Sequence, residues 1–159
     1  MPSHKNPPTF IWRLMRRLSR RVIHLVAAGR GPAGVVLVLT TTGRKSGLPR
    51  QTPLQYEQVG DDFYIASARG PQADWFRNLQ ADPRVTVLVH GKQFSAQAEA
   101  VTDPLGIVDF LALRLQRRPR MVGLIMRLEG FPLRYTRADL EQFAAGKALA
   151  VLHPLPQGE

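Results

Sequence analysis

The chain of 159 residues contains no cysteine, which excludes disulfide bonds, thiolate-bound zinc, iron–sulfur clusters and a cysteine nucleophile. Its four histidines lack the spacing of a metal-binding pair, so the sequence predicts no metal site. Aromatic residues make up only 8%, and no recognition motif for nucleic acid is present, so nucleic acid is not favoured as a partner. The one long helical pattern is interrupted by arginines, which argues against a bilayer span and against a cleaved signal peptide.

Positive charge is what the chain has in excess. Lysine and arginine number 22 against 12 acidic residues, which gives a net charge of +10. Residues 1–30 hold seven basic residues and no acid, and residues 114–137 hold seven arginines and one acid. This balance predicts an anionic partner. Composition alone leaves open whether that partner is nucleic acid, a membrane surface or a small anionic molecule.

Hydrophobic periodicity divides the chain into four parts. Residues 1–9 are polar and proline-rich and are predicted to form a mobile tail. Residues 10–30 are predicted to be a basic amphipathic helix and its end, with apolar residues recurring every three or four positions through residue 28. Residues 31–153 are predicted to be one domain with helices at its C-terminal end, and residues 154–159 a second tail.

Within that domain the pattern predicts a mainly β fold with flanking helices (α+β). Five strands in an antiparallel meander are expected at residues 35–42, 50–58, 63–68, 85–90 and 93–101. Helices are expected at 72–80, 105–117, 121–128 and about 136–145, with a last short strand at 151–152.

The most informative stretch is the turn between the first two predicted strands. Its two glycines can point backbone N–H groups at an anion, and three cationic side chains lie beside them: Arg44, Lys45 and Arg50. The hydroxyls of Thr42 and Ser46 can complete such a shell. The residue order of a Walker phosphate loop is absent. An anion-binding loop and a solvated, charged hairpin tip both remain open.

A second candidate stretch runs from the end of the third predicted strand into the short helix. The small residues Ser67 and Ala68 leave the strand backbone bare, so a flat ring system could lie against it. Trp75 and Asn78 are three positions apart on the helix and face the same side. The tryptophan serves equally well as a core residue, so the pocket and the core interpretation both stay open.

Taken together, the two stretches resemble a known family. Residues 39–54, Leu-Thr-Thr-Thr-Gly-Arg-Lys-Ser-Gly-Leu-Pro-Arg-Gln-Thr-Pro-Leu, are similar to the signature of the deazaflavin (F420)-dependent nitroreductases and F420H2-dependent quinone reductases. Residues 74–79 and 82–85 are similar to the second block of that family. The resemblance covers residues 35–101 and implies a split β-barrel of the flavin-reductase type, so that residues 31–153 would be a split-barrel cofactor-binding domain. It implies the cofactor F420, a deazaflavin with a phosphodiester and an oligoglutamate tail, with FMN as the alternative.

The resemblance also implies roles for individual residues. At the cofactor phosphate it places Arg44, Lys45 and Arg50, with Thr42 and Ser46 nearby. Along the deazaflavin ring it places Thr52, Pro53, Ser67 and Ala68, with Trp75 and Asn78 closing the pocket. The tyrosines that shape the acceptor pocket of nitro-reducing members have no aligned counterpart, because the C-terminal third holds only Tyr135. The cofactor class is therefore better supported than the acceptor.

The predicted function is an F420H2-dependent oxidoreductase that transfers a hydride from reduced deazaflavin to a small electrophile: a quinone, an enone or a nitro compound. No side chain is singled out as a proton donor. The alternative is a non-catalytic split-barrel protein that binds F420, FMN, haem or a lipid. The expected location is cytoplasmic, with residues 10–28 either docked on the barrel or in peripheral contact with the inner face of the membrane. The oligomeric state stays open.

Overall fold

The structure is a computed structural model that describes residues 20–26, 36–67 and 69–157. Residues 20–26 are helical (α1), and Val26 at their end is buried. The rest of the predicted basic helix and the predicted tail at 1–9 lie outside the described residues.

Strands and helices follow the periodicity of the sequence closely. The strands are β1 Val36–Thr42, β2 Pro49–Gln55, β3 Glu57–Val59, β4 Asp62–Ser67, β5 Arg84–Val89, β6 Lys92–Val101 and β7 Ala148–Pro154. After α1 the helices are α2 Asp74–Ala81, α3 Pro104–Arg117, α4 Pro119–Leu128 and α5 Arg137–Ala144. The caps also match: Asp103 caps α3 ahead of Pro104, and Thr136 and Asp139 form a capping box on α5.

The strands form one antiparallel sheet in the order β2-β1-β5-β6-β7-β4-β3. A mainly β fold with flanking helices is thereby confirmed, whereas the five-stranded meander is wrong. The predicted strand 50–58 is broken at Tyr56 into β2 and β3, and the last strand is long and central instead of short. Because β7 pairs with both β6 and β4, it joins the two halves of the sheet.

The position of β7 explains why its pattern is hard to interpret. Its first five residues, 148–152, are all buried, so the alternation that marks a half-exposed strand is missing. Near its end, the His153 ring bridges two neighbouring strands, at 2.9 Å from Glu99 Oε2 and 3.0 Å from Asp62 Oδ1. These two hydrogen bonds, the one with Glu99 first, raise the pKa of His153.

Each face of the sheet carries its own apolar core. Alternate residues of β4 show the division: Ile65 packs with α2 on one face, while Tyr64 packs against α3 to α5 on the other. The end of β4 is fixed by the turn that follows it, where Ser67 Oγ donates to the carbonyl of Gly70 at 2.8 Å. Gly70 has φ +64° and lies so close to the carbonyl oxygen of Gly146 that a Cβ would clash with it.

Candidate functional site

Two adjoining cavities lie where β2, the end of β4 and the start of α2 meet the C-terminal helices. The first, of about 560 Å³, is formed by the β1–β2 loop and α2. The second, of about 480 Å³, extends from β2 to α3, α4 and α5. Thr52, Asp74 and Trp75 line both cavities. We call the first the basic cavity and the second the apolar cavity.

Most of the residues predicted for the site line these cavities. The basic cavity brings together Arg44, Lys45, Ser46, Arg50 and Asn78. The apolar cavity brings together Pro53 and Ser67, and the two cavities share Thr52 and Trp75. Thr42 lines neither cavity, and Ala68 lies outside the described residues. The two sequence stretches therefore form one site although β3 and most of β4 lie between them in the chain.

Arg44 is held against α2 by several hydrogen bonds. Its Nη1 donates to Asn78 Oδ1 at 2.8 Å, and its backbone N–H donates to the same oxygen at 3.2 Å. Its Nη2 lies 3.1 Å from Asp74 Oδ1. Asn78 Nδ2 in turn donates to Thr41 Oγ1 at 3.3 Å. We call Arg44, Asn78, Asp74 and Thr41 the loop clamp, because together they fix the β1–β2 loop to α2.

The loop itself satisfies much of its own backbone. The N–H of Gly43 donates to the carbonyl of Leu48 at 2.8 Å, and the N–H of Gly47 donates to the carbonyl of Gly43 at 2.8 Å. Ser46 Oγ accepts from the N–H of Leu48 at 3.2 Å. An anion nest built from all the loop amides is therefore not present, since several of these amides already have partners.

Two cations of the basic cavity remain for a ligand. The side chains of Lys45 and Arg50 are on exposed residues and make no hydrogen bond or ion pair with any described residue. Arg44, in contrast, already bonds to Asn78 and Asp74 in the loop clamp. The structure thus divides the three predicted phosphate-binding residues into one that positions the loop and two whose charge is unpaired.

The apolar cavity is closed by residues that the sequence analysis did not identify. Apolar side chains from three helices line it: Leu111, Ile125, Met126 and Phe143. Arg114, Glu129 and Lys147 add charge at its edge, and Lys147 Nζ lies 3.0 Å from Glu129 Oε2. Helical periodicity showed that these helices have apolar faces, but no local motif indicates which face meets the cleft.

Behind this cavity lies a buried carboxylate surrounded by arginines. The Glu57 side chain is only 2% exposed and has three guanidinium groups around it, at 3.8 Å (Arg114 Nε), 3.5 Å (Arg117 Nη1) and 3.5 Å (Arg118 Nε). Burial lowers the pKa of Arg114, and the charge of Glu57 opposes that shift. Arg114 Nη2 also donates to Gln55 Oε1 at 2.8 Å. Glu57 and Gln55 thus hold the Arg114 side chain at the cavity wall.

The described ranges contain neither a cluster of metal-ligating side chains nor a membrane-spanning helix. No three His, Asp or Glu side chains among those residues come together as metal ligands. None of the helices described is both long and apolar enough to cross a bilayer.

Solved structures with a similar fold identify the architecture. An F420 reductase superposes with a TM-score of 0.50 at 17% identity, over 78% of this chain and 89% of that one. The haem storage protein HutZ of Vibrio cholerae superposes with a TM-score of 0.53 at 18% identity, over 86% of this chain and 89% of that one. At such low identity these likenesses show the fold alone. That fold is the split β-barrel of the flavin-reductase type, as the resemblance implied.

Sequence comparison defines the family. An F420H(2)-dependent quinone reductase of Mycobacterium tuberculosis is 40% identical over 68 residues, which are 41% of this chain and 46% of that protein. This chain thus spans about half the length of the curated relatives it matches. The family model described as F420H(2)-dependent quinone reductase matches residues 13–106, which is more than half of the chain and includes the loop clamp and both unpaired cations. The chain therefore belongs to the F420H(2)-dependent quinone reductase family.

Proposed function

We propose that the protein is an F420H2-dependent oxidoreductase that reduces a small electrophilic acceptor, with a quinone as the first candidate. One observation carries the proposal: a basic cavity with two unpaired cations adjoins an apolar cavity, and Trp75 and Thr52 line both. A cofactor with an anionic tail and a flat ring requires positive charge for the tail and an adjoining apolar surface for the ring. The names of the family and its relatives support the choice of F420 and of a quinone.

The residues present fit this cofactor. Lys45 and Arg50 supply unpaired positive charge for the phosphodiester and the oligoglutamate tail. Thr52 lines both cavities, and Pro53 and Ser67 line the apolar one. Together they offer strand backbone and small side chains to the ring, which would lie beside Trp75. Asn78 and Arg44 act indirectly in this scheme, since they hold the loop that carries Lys45.

The mechanism divides the work between cofactor and protein. Reduced deazaflavin, when bound, supplies the hydride that the acceptor receives. The four apolar side chains of the second cavity exclude water from the acceptor and orient it. Arg114 stays protonated and can donate hydrogen bonds to an acceptor oxygen, which gains negative charge as the hydride arrives. The neighbouring Glu57 and Gln55 keep this guanidinium in place before the reaction, so its reorganisation costs little.

Titrations with F420 and FMN, followed by turnover measurements, test the proposal. We expect F420 to bind more tightly than FMN, and reduced F420 to be oxidised by one or more members of a quinone panel. Lys45→Ala and Arg50→Ala should each weaken F420 binding by about 1.5–3 kcal/mol without lowering the melting temperature. Lys92→Ala, at the exposed start of β6, is the matched control. Tight binding without turnover would favour the non-catalytic alternative, and unchanged F420 affinity in Lys45→Ala/Arg50→Ala would remove the site assignment.

We further propose that residues 10–28, the predicted basic amphipathic helix, place the enzyme at the inner face of the membrane. Seven basic residues without an acid in residues 1–30 favour an anionic surface. In the described part of the helix, Arg20 and Arg21 are exposed and Val26 is buried. Cosedimentation with anionic vesicles should be salt-sensitive and weaken when residues 1–28 are deleted. Loss of folding in that deletion would show that the helix is part of the core.

A further inference from the structure

Helix α4 is apolar on two opposite sides, and only one of them is covered by the described protein. Val122 and Met126 are buried in the core between α3, α5 and the sheet. On the other side Leu124 is 54% exposed and Leu128 81% exposed, one helical turn apart. Single exposed leucines need no explanation, but two in one row on a ten-residue helix indicate a surface with a partner.

Positive charge surrounds these two leucines. Arg120 is one turn before Leu124, and Arg127 is three residues after it, so both flank the same side of the helix. Arg120 has no ion pair with a described residue, and among the described residues the Arg127 side chain donates only to the carbonyl of Gly123, at 3.2 Å. The four residues Arg120, Leu124, Arg127 and Leu128 are called the α4 face from here on.

The chain beyond α4 continues the same chemistry. Leu133 is 73% exposed, and Arg134 and Tyr135 after it are exposed as well. Glu129, the one acid within residues 114–137, pairs with Lys147, whose Nζ lies 3.0 Å from Glu129 Oε2. Exposed leucine, tyrosine and unpaired arginine together are the side chains that favour the boundary between lipid headgroups and acyl chains.

We propose that the α4 face is a second contact site for an anionic lipid surface, separate from the N-terminal helix. Charge decides among the possible occupants. Residues 1–30 carry seven basic residues and no acid, so that segment would meet the α4 face with like charge. A second copy of the chain would do the same. An anionic bilayer provides both the negative charge and the apolar layer that the face lacks.

This contact would place the apolar cavity beside the bilayer. Ile125 and Met126, next to the exposed leucines in the helix, line that cavity. A lipid-soluble acceptor could then enter from the membrane without crossing water. That last step rests on the proposed function, whereas binding of the α4 face to lipid does not.

The absence of cysteine permits a direct test on the full chain. Leu128→Cys, labelled with an environment-sensitive nitrobenzoxadiazole dye, should show a blue-shifted and stronger emission with phosphatidylglycerol–phosphatidylcholine vesicles. The control Leu105→Cys labels a leucine of similar exposure to Leu124, 58%, at the start of α3 and should show no change. An equal response at both positions, or none at position 128, would overturn the proposal.

Vesicle cosedimentation of unlabelled variants measures how much the α4 face contributes to lipid binding. Leu124→Gln/Leu128→Gln should lower partitioning onto anionic vesicles more than tenfold, whereas Leu105→Gln leaves it unchanged. Arg120→Gln/Arg127→Gln should lower partitioning about 25-fold, about fivefold for each arginine. Unchanged partitioning contradicts the proposal.

Two lipid-free measurements test whether the α4 face is covered by another segment of the same chain or by a second copy of the chain. If the double leucine variant melts at a lower temperature, the face is covered by its own chain, and if it dissociates a dimer in sedimentation, a second copy covers it. Either result overturns the lipid assignment. F420 titration is measured alongside, so failure of the cofactor proposal is recorded separately.

Discussion

Asn78 joins α2 to the β1–β2 loop, so Asn78→Ala should destabilise the fold as well as weaken cofactor binding. The side chain is 4% exposed, accepts two hydrogen bonds from Arg44 and donates one to the buried Thr41. A hydrogen bond to a charged group contributes about 1.5–3 kcal/mol, and Arg44 keeps Asp74 as a partner. We therefore expect a loss of about 2–3 kcal/mol, which corresponds to about 4–12 °C in melting temperature for a chain of this size.

A conservative variant separates the structural role from an electrostatic one. Asn78→Asp keeps an oxygen that accepts from Arg44, and Thr41 can rotate its hydroxyl to donate to the carboxylate. Its stability should stay within about 1 kcal/mol of the wild type. The added negative charge lies in the basic cavity with Lys45, so F420 affinity should still fall. Urea unfolding and F420 titration of both variants give the two quantities.

A double-mutant cycle with Arg44→Ala then measures the clamp itself. We expect a coupling energy of at least 1 kcal/mol between Arg44 and Asn78, since each side chain loses its partner in the other's absence. Additive effects within about 0.5 kcal/mol would refute the reasoning. So would an Asn78→Ala variant of wild-type stability, which is the behaviour of a residue that contacts only the ligand.

Three further predictions follow from buried charge, backbone conformation and titration. Glu57→Gln removes the charge between three arginines and should cost about 3 kcal/mol in urea unfolding, so a neutral effect would mean that the arginines separate freely. Gly70→Ala should cost at least about 2 kcal/mol because of Gly146, and more than Gly47→Ala, where φ is also positive but space is open; equal losses would contradict the close approach. Hydrogen bonds to Glu99 and Asp62 raise the pKa of His153. The stabilisation of the fold by the protonated ring is therefore fully present below about pH 6.5 and is lost as pH rises through the folded-state pKa. The stability difference from His153→Asn should follow that course and remain under about 1 kcal/mol for this partly exposed side chain, and a difference that grows with pH would contradict the assignment.

The basic cavity could be predicted because the information for it is local. Lys45, Arg50 and Thr52 lie in one loop and the strand after it, and the same stretch that determines the turn also provides the charge. Trp75 and Asn78 belong to a helix whose facing side follows from their spacing. Spacing does not identify the hydrogen-bond partner of Asn78. Nothing in the sequence pattern shows that this side chain bonds to Arg44 instead of a ligand.

Contacts between distant segments account for what was missed. Glu57 lies in a three-residue strand, where composition predicts an exposed charge, and it is buried because arginines about 60 residues later surround it. The meander was wrong for the same reason. The central strand β7 comes last in the chain, and only its pairing with β4 and β6 determines the order of the sheet.

The basic cavity is formed by segments that are close in sequence, whereas the apolar cavity also needs helices from the end of the chain. In the proposed function the acceptor binds on the side built by α3, α4 and α5, so a change there should alter catalysis without altering F420 affinity. Ile125→Ala removes apolar contact area from the cavity wall and should lower kcat/KM for a water-soluble quinone by about 5- to 30-fold, which is about 1–2 kcal/mol, with the dissociation constant of F420 unchanged. Leu124→Ala, one residue earlier in the helix, is the matched control, because its side chain is exposed and does not line the cavity; in a lipid-free assay its kcat/KM should equal that of the wild type. If Ile125→Ala instead weakens F420 binding, or leaves kcat/KM unchanged across the quinone panel, then the helices do not form the acceptor site and the apolar cavity belongs to the cofactor.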